Sequence, residues 1–239
     1  MILSVIIPVY NEEKSLGESL AQVFQTPVDK EIIIINDGST DGSEVILKEV
    51  EEKFKNKILP ASVKSLKVIQ KIENSGKGSC VITGVDLATG DIVIIQDADL
   101  ELDPQEYTKL LLPFTKDNAD IVFGSRFLDS GKAKMVVPTV RYLANKFLTF
   151  LSNILSGLYV TDEASCYKLF KREIIQSFDL KAKRFGIEPE LVAKSAKKDY
   201  VIFEVPISYN PRNHSAGKKI GFKDGLEAIV EIIRFNLFY

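Results

Sequence analysis

The rhythm of this chain constrains its fold most: short runs of β-branched and aliphatic residues alternate with longer stretches of helical periodicity. LSVIIPVY from Leu3, EIIIIND from Glu31, LKVIQKI from Leu66, DIVIIQ from Asp91 and DIVFGS from Asp120 each read as a strand. Continuous apolar runs of this length, bounded by Gly, Asp and Asn, suit parallel strands covered on both faces. Helical segments lie between them: Glu12 to about Phe24, Gly42 to about Phe54, KGSCVITGVDLA opening at Gly76-Lys77-Gly78, and one after Pro104. The alternation predicts an α/β sheet over roughly the first 125 residues. After Arg126 the rhythm changes. Residues 129–160 carry one long helical pattern, with Leu143, Phe147, Phe150, Leu151, Ile154 and Leu158 at three- and four-residue steps. CYKLF then reads as a strand, Pro189 to Lys197 as a helix and VIFEVPISY as a strand. The polar loop NPRNHSAGKKIGFKDG leads into an amphipathic LEAIVEIIRFNLFY. No repeat, low-complexity tract or linker interrupts the chain, so residues 1–239 are expected to form one domain.

Composition narrows the function classes. A chain of 239 residues, 45% hydrophobic, can bury a sizeable core. Its net charge of −2 provides no basic field for nucleic acid. His214 is the single histidine, which excludes a multi-histidine metal site. Cys80 and Cys166 stand far apart in no metal-ligand or redox spacing, so both are expected as buried free thiols in a reducing cytoplasm. MILSVIIPVYNEE lacks a basic n-region and a cleavage site, and reads as a first strand rather than a signal peptide. No apolar run approaches the roughly 20 residues of a membrane span. The chain is therefore expected to be soluble or to lie on a membrane.

In an open α/β sheet, ligands bind beyond the carboxyl ends of the strands. Four such ends are polar here: Tyr10-Asn11-Glu12, Asn36-Asp37-Gly38, Asp97-Ala98-Asp99 and Ser125-Arg126. VIIQDADLELDP sets Asp97, Asp99, Glu101 and Asp103 at every second position. On a continuing strand all four would share one face and repel. A hard divalent cation such as Mg2+ or Mn2+, shared with a diphosphate, would relieve that repulsion. Asp97 and Asp99 would be ligands and Glu101 a third ligand or contact. Asp103 reads as a helix cap before Pro104. NDGSTDGS (36–43) reads as a turn with a cap at Thr40 or Asp41, or with Asp37 accepting from a base or ribose. SGKGS lacks the P-loop spacing, and no GxGxxG follows the first strand. Lys77, at a helix start, is either a phosphate contact or a surface lysine.

PVYNEE, IIINDGSTDGS, GKG, DADLE and GSRF occur in an order that resembles inverting glycosyltransferases of family 2. RFGIEPELVAK, EVPISY and RNHSAGKKIGFKDG look like the dolichol-phosphate mannose synthase branch. The resemblance implies a GT-A fold, a Rossmann-like, mostly parallel sheet with helices on both faces. Residues 1–125 would bind the nucleotide sugar. Residues 126–239 would bind the acceptor and end in an amphipathic helix. It further implies transfer of a hexose (mannose or glucose) from a GDP- or UDP-sugar to a polyprenyl or dolichyl phosphate, with Mg2+ or Mn2+, at the cytoplasmic face of a membrane. Pro8, Tyr10, Glu12 and Asp37 would hold base and ribose, with Lys77 nearby. Asp97, Asp99 and Glu101 would hold metal and diphosphate, although family members often carry Gln in place of Glu101. Asp99, Arg126 and Arg141 would form the catalytic set, the arginines facing the acceptor phosphate, while Arg212 and Lys218 would close over the donor. His214 has no fixed family counterpart and reads as an exposed loop residue or a phosphate contact.

A phosphate acceptor is already anionic and needs no general base. A saccharide hydroxyl would need one, and Glu188 and Glu190 in FGIEPE are the candidates. As acids at a helix start they are equally explained by the helix dipole. The alternatives are thus a family 2 enzyme of polysaccharide assembly, or a silent nucleotide-sugar-binding module. The stripes at 141–158 and 226–239 either face the core or lie in a bilayer interface.

Overall fold

A computed structural model describes residues 1–128, 139–211 and 222–238. The described residues form a seven-stranded sheet in the order β3-β2-β1-β4-β6-β5-β7. The strands are β1 (Leu3–Val9), β2 (Lys30–Asn36), β3 (Val63–Gln70), β4 (Ile92–Ile95), β5 (Ile121–Ser125), β6 (Lys168–Lys171) and β7 (Ile202–Pro206). β1 pairs in parallel with β2 and β4, β2 with β3, and β5 with β7. β6 runs antiparallel to both β4 and β5 and fills the gap between them.

The continuous apolar runs behave as their composition requires. All seven residues of β2 are buried, and Ile32 to Ile35 have no exposed surface. Only a strand flanked on both edges and covered on both faces can bury such a run. Each of those isoleucines contributes roughly 1.5–3 kcal/mol of burial. β3, at the sheet edge, is mostly half-buried. It begins three residues before the apolar LKVIQKI, because its first pairing, Lys30 with Val63, precedes a register shift rather than an apolar run.

The helices are α1 (Leu16–Gln25), α2 (Ser43–Lys55), α3 (Lys77–Leu87), α4 (Tyr107–Lys116), α5 (Thr139–Ser156), α6 (Arg172–Gln176), α7 (Ile187–Ser195) and α8 (Phe222–Leu237). α1 buries Leu16, Leu20, Val23 and Phe24, the i, i+4, i+7, i+8 face of an amphipathic helix. It starts four residues later than the periodicity indicates, because Asn11 turns the chain at φ 53° and Glu12 begins a tight turn with Ser15. The single turn Pro104–Glu106 precedes α4, and the Asp103 carboxylate accepts from Gln105 N at 2.9 Å, so Asp103 is the cap its position predicts. α5 and α7 both pack against α8. Of the long helical pattern, 139–156 is helix, 129–138 lies outside the described residues, and 157–160, with Leu158, falls beyond the helix because Gly157 at φ 76° ends it. Among the described residues no helix is long and apolar enough to cross a membrane. Cys80 and Cys166 are buried free thiols, as expected.

Candidate active site

Because β1, β2, β4 and β5 point the same way, their four polar ends meet on one sheet edge, joined there by the start of the antiparallel β6. At the β1 end, Pro8 is half-buried beside Ile35 and Tyr10 is exposed. Asn11 accepts from Thr40 N at 2.8 Å, and Glu12 N donates to Ser43 Oγ at 3.0 Å, tying this loop to the one after β2. The Glu12 carboxylate accepts from Ser15 Oγ at 2.9 Å. In NDGSTDGS it is Asp41, not Thr40, that folds the turn before α2, accepting from Ser43 N at 3.0 Å.

Asp37 is buried, and its carboxylate accepts from Ser75 N at 3.1 Å, Ser75 Oγ at 2.9 Å and Gly76 N at 2.7 Å, with Lys71 Nζ at 3.5 Å. Burial pushes its pKa up, and these amide and hydroxyl bonds outweigh burial and hold it below the ordinary value. The protein thus uses both oxygens to anchor the loop that carries Lys77, a role that residue type alone did not reveal. Gly78 N and Ser79 N donate to Arg184 O and Lys183 O, seating the start of α3 against residues 182–184. A side chain at Gly78 would collide with Ala182 O, and Gly76 holds φ 94°, so both glycines are required.

At the β4 end, buried Gln96 accepts from Tyr107 OH at 2.6 Å and Tyr167 OH at 2.7 Å, and its amide donates to Asp97 O at 2.9 Å. The Asp97 carboxylate lies 2.7 Å from Lys77 Nζ, which also lies 2.7 Å from Glu188 Oε1 at the start of α7 and 3.6 Å from Cys166 Sγ. Burial works against the Lys77 charge, but Asp97 and Glu188 more than compensate and raise its pKa well above normal. Asp99 is buried and accepts Glu101 N at 3.1 Å. Glu101 Oε2 accepts from Tyr209 OH at 3.1 Å, and Glu101 O from Asn210 N at 2.9 Å.

The four acids therefore do not share a face. The strand ends at Ile95, Asp99 folds a turn, and each carboxylate meets its own partner. Among the described residues no three His, Cys, Asp or Glu side chains form a metal-holding group. Glu101, expected as a third ligand or contact, follows the turn at Asp99 and accepts from Tyr209. Asp97 and Asp99 remain as hard oxygen donors. That set fits Mg2+ or Mn2+, since such ions are commonly held by one or two carboxylates with the rest of the shell from substrate phosphate and water.

At the β5 end, Arg126 makes a two-pronged pair with Asp162: Nε to Oδ2 at 2.7 Å, a terminal nitrogen to Oδ1 at 2.8 Å, and its backbone N to Oδ2 at 3.0 Å. Asp162 is fully buried. Burial disfavours both charges, and each partner's field overcomes it, raising the arginine pKa and lowering the aspartate's. The guanidinium carbon stands 5.0 Å from the Tyr209 ring centroid and 5.4 Å from that of Phe127. On α5, Lys146 Nζ lies 4.8 Å from the Phe127 ring. Arg141 is half-buried near the start of the same helix. Asp162, Tyr209 and Lys146 were not singled out from sequence; the acid pair in TDEAS just before a strand was the one available signal. Arg212, His214 and Lys218 lie outside the described residues.

The two base candidates separate. Glu190 has no exposed surface, accepts from Lys181 N at 2.8 Å and Ala182 N at 2.7 Å, and pairs with Lys194 at 2.8 Å. It is a scaffold residue, which overturns its candidacy as a general base. Glu188 reaches the site but is ion-paired with Lys77. Glu163, buried beside Lys168, has its carboxyl pushed up to about 7 by burial.

Residues 4–178 match the family model described as Glycosyl transferase family 2. The chain is 32% identical over 234 residues to a UDP-N-acetylglucosamine–dolichyl-phosphate N-acetylglucosaminyltransferase of Methanococcus voltae, covering 93% of this chain and 92% of that protein. It is 28% identical over 225 residues to a dolichol-phosphate mannosyltransferase of Pyrococcus furiosus, covering 92% of this chain and 60% of the relative. A solved glucosyl-3-phosphoglycerate synthase from Mycobacterium tuberculosis, in complex with Mn2+, UDP and phosphoglyceric acid, superimposes with a TM-score of 0.68 at 19% identity. That superposition covers 100% of this chain and 79% of the synthase.

Proposed function

The chain belongs to glycosyl transferase family 2, and from that premise we propose that it moves a hexose from a GDP- or UDP-sugar to a polyprenyl phosphate, at a membrane surface. It is a glycosyltransferase with the GT-A architecture; donor, acceptor, metal and membrane are the proposal. The observation that carries it is Arg126, a permanently charged guanidinium locked by Asp162 on the sheet edge that also bears Asp97 and Asp99. Asp162 takes Nε and one terminal nitrogen and holds the guanidinium plane, and the remaining terminal nitrogen is a fixed donor that suits an anionic acceptor. The two relatives named for dolichyl or dolichol phosphate support the same acceptor class.

In this reading residues 1–125 bind the nucleotide, with Pro8, Tyr10 and Glu12 at the β1 end, Asp37 anchoring the loop of Lys77, and Arg212 and Lys218 completing the donor site. Asp97 and Asp99 would hold Mg2+ or Mn2+, which supplies neutralisation of the charge gathering on the departing diphosphate. Lys77 adds a second positive charge there. Arg126 and Arg141 hold the acceptor phosphate, whose oxygen attacks the anomeric carbon opposite the leaving group and inverts it. No protein base is needed, consistent with Glu190 buried in the scaffold and Glu188 held by Lys77.

Membrane contact has its own support. Along α5, Leu143, Phe147, Phe150 and Ile154 are exposed, and along α8 Leu226, Val230 and Leu237. Since α5 and α8 pack together, these apolar faces belong to adjoining helices, and the segment 139–156 contains no acid. Such faces suit burial in the interfacial zone of a bilayer. The test of function is incubation with a panel of labelled GDP- and UDP-hexoses, Mn2+ and a polyprenyl phosphate in detergent. Label should enter the organic phase and vanish with Asp99→Ala. Donor binding without transfer to any polyprenyl phosphate would overturn the proposal.

A further inference from the structure

Tyr209 lies just beyond β7 and touches both halves of the site. Its ring lies against the Arg126 guanidinium at 5.0 Å, while its hydroxyl donates to Glu101 Oε2 at 3.1 Å. The next residue repeats the attachment, Asn210 N donating to Glu101 O at 2.9 Å. Glu101 in turn uses its own N–H, at 3.1 Å, to orient the Asp99 carboxylate. One unbroken chain of contacts therefore runs from the acceptor-side cation through Tyr209 and Glu101 to the cation-side carboxylate. Burial pushes the Tyr209 hydroxyl up to about 12, with the nearby Glu101 charge adding to the effect, so the hydroxyl remains a donor at neutral pH.

We infer that Tyr209 is a positioning residue that braces the two subsites against each other: its ring aims Arg126 and its hydroxyl, through Glu101, aims Asp99. The inference rests on the proposed function, because it takes Asp99 as a cation ligand and Arg126 as the phosphate contact. The two functions of the side chain separate chemically. Tyr209→Phe keeps the ring and removes the hydroxyl; Tyr209→Leu removes both. Loss of an outer hydrogen bond that orients a metal ligand typically weakens metal affinity 10–100-fold. Here the effect passes through Glu101 as well, so the lower end, about 10-fold, is expected. A cation–π contact worth roughly 0.5–2 kcal/mol corresponds to about 2- to 30-fold in affinity.

The experiment measures two affinities in the full chain: Mn2+ alone, from the electron paramagnetic resonance signal of the free ion, and farnesyl phosphate, by calorimetry. Tyr209→Phe should weaken Mn2+ about 10-fold and leave farnesyl phosphate within about twofold. Tyr209→Leu should weaken both. A merely structural tyrosine would shift the melting temperature of both variants without this split. If Tyr209→Phe binds Mn2+ like the wild type, or if the two variants weaken both ligands equally, the brace is refuted and the functional reading stands. If the wild-type protein binds neither probe, the functional reading falls and the brace with it.

Discussion

Replacing Asp162 by Asn should destabilise the fold through one identifiable pair. Asp162 is fully buried, its partner Arg126 is nearly so, and three hydrogen bonds between 2.7 and 3.0 Å join them. Removing one member of a buried ion pair typically costs about 3–5 kcal/mol, because the survivor stays buried without its countercharge. Asn keeps one acceptor oxygen, so the lower end, roughly 3 kcal/mol, is expected. For a chain of this size that corresponds to roughly 6–12 °C in melting temperature. The pH dependence follows from the depressed pKa of Asp162: the unfolded chain binds the proton more readily than the folded one, so stability rises with pH. The contribution is complete above about pH 4, the unfolded carboxyl value, and drains away as pH falls towards the folded one. Urea unfolding at pH 7 and through the acid range measures both. Arg126→Met with Asp162→Leu should recover much of the loss, since two apolar side chains leave no orphaned charge. A single-variant cost below about 1 kcal/mol, or a double variant less stable than both singles, would refute the reasoning.

Other expectations follow from neighbouring residues. Glu190→Gln removes the carboxylate that Lys194 pairs with at 2.8 Å in the scaffold and should cost about 3 kcal/mol in urea unfolding. Glu188→Gln should cost clearly less, because Lys77 keeps Asp97; equal losses would undo the division between them. Phe147→Glu with Phe150→Glu should abolish flotation with phosphatidylglycerol vesicles, and should change stability by no more than about 1 kcal/mol because both rings are already exposed. Gly78→Ala drives a methyl into the backbone carbonyl of Ala182, and a loss of about 1–3 kcal/mol in thermal unfolding is expected.

The sheet was legible in the sequence where burial is continuous. EIIIIND and DIVIIQ can be little else than central strands, and the polar residues that end them mark the sheet edge where the candidate site lies. Asp97, Asp99 and Arg126 come from that logic. What escaped detection depends on contacts between distant parts of the chain. Asp162 meets Arg126 from 36 positions away, and Tyr209 meets Glu101 from 108. No local spacing encodes either meeting. Glu188 and Glu190 are two residues apart and look alike in FGIEPE, yet the turn of α7 sends one to Lys77 and the other into the scaffold. α6, at five residues, is too short to show a period. The alternation from Asp97 to Asp103 never becomes an acidic face, because the strand ends at Ile95, before the first of the four acids, and Asp103 caps the following turn as its position before Pro104 predicts.

The central claim is that the acceptor is an anion held by Arg126, with no general base. Its most direct measurement is transfer from the labelled nucleotide sugars, with Mn2+, to a polyprenyl phosphate and, in parallel, to the same polyprenol without its phosphate. Label in the organic phase with the phosphate alone, and its loss with Arg126→Met, is the result expected. Equal labelling of the alcohol, or label appearing only on added oligosaccharides, would contradict the claim.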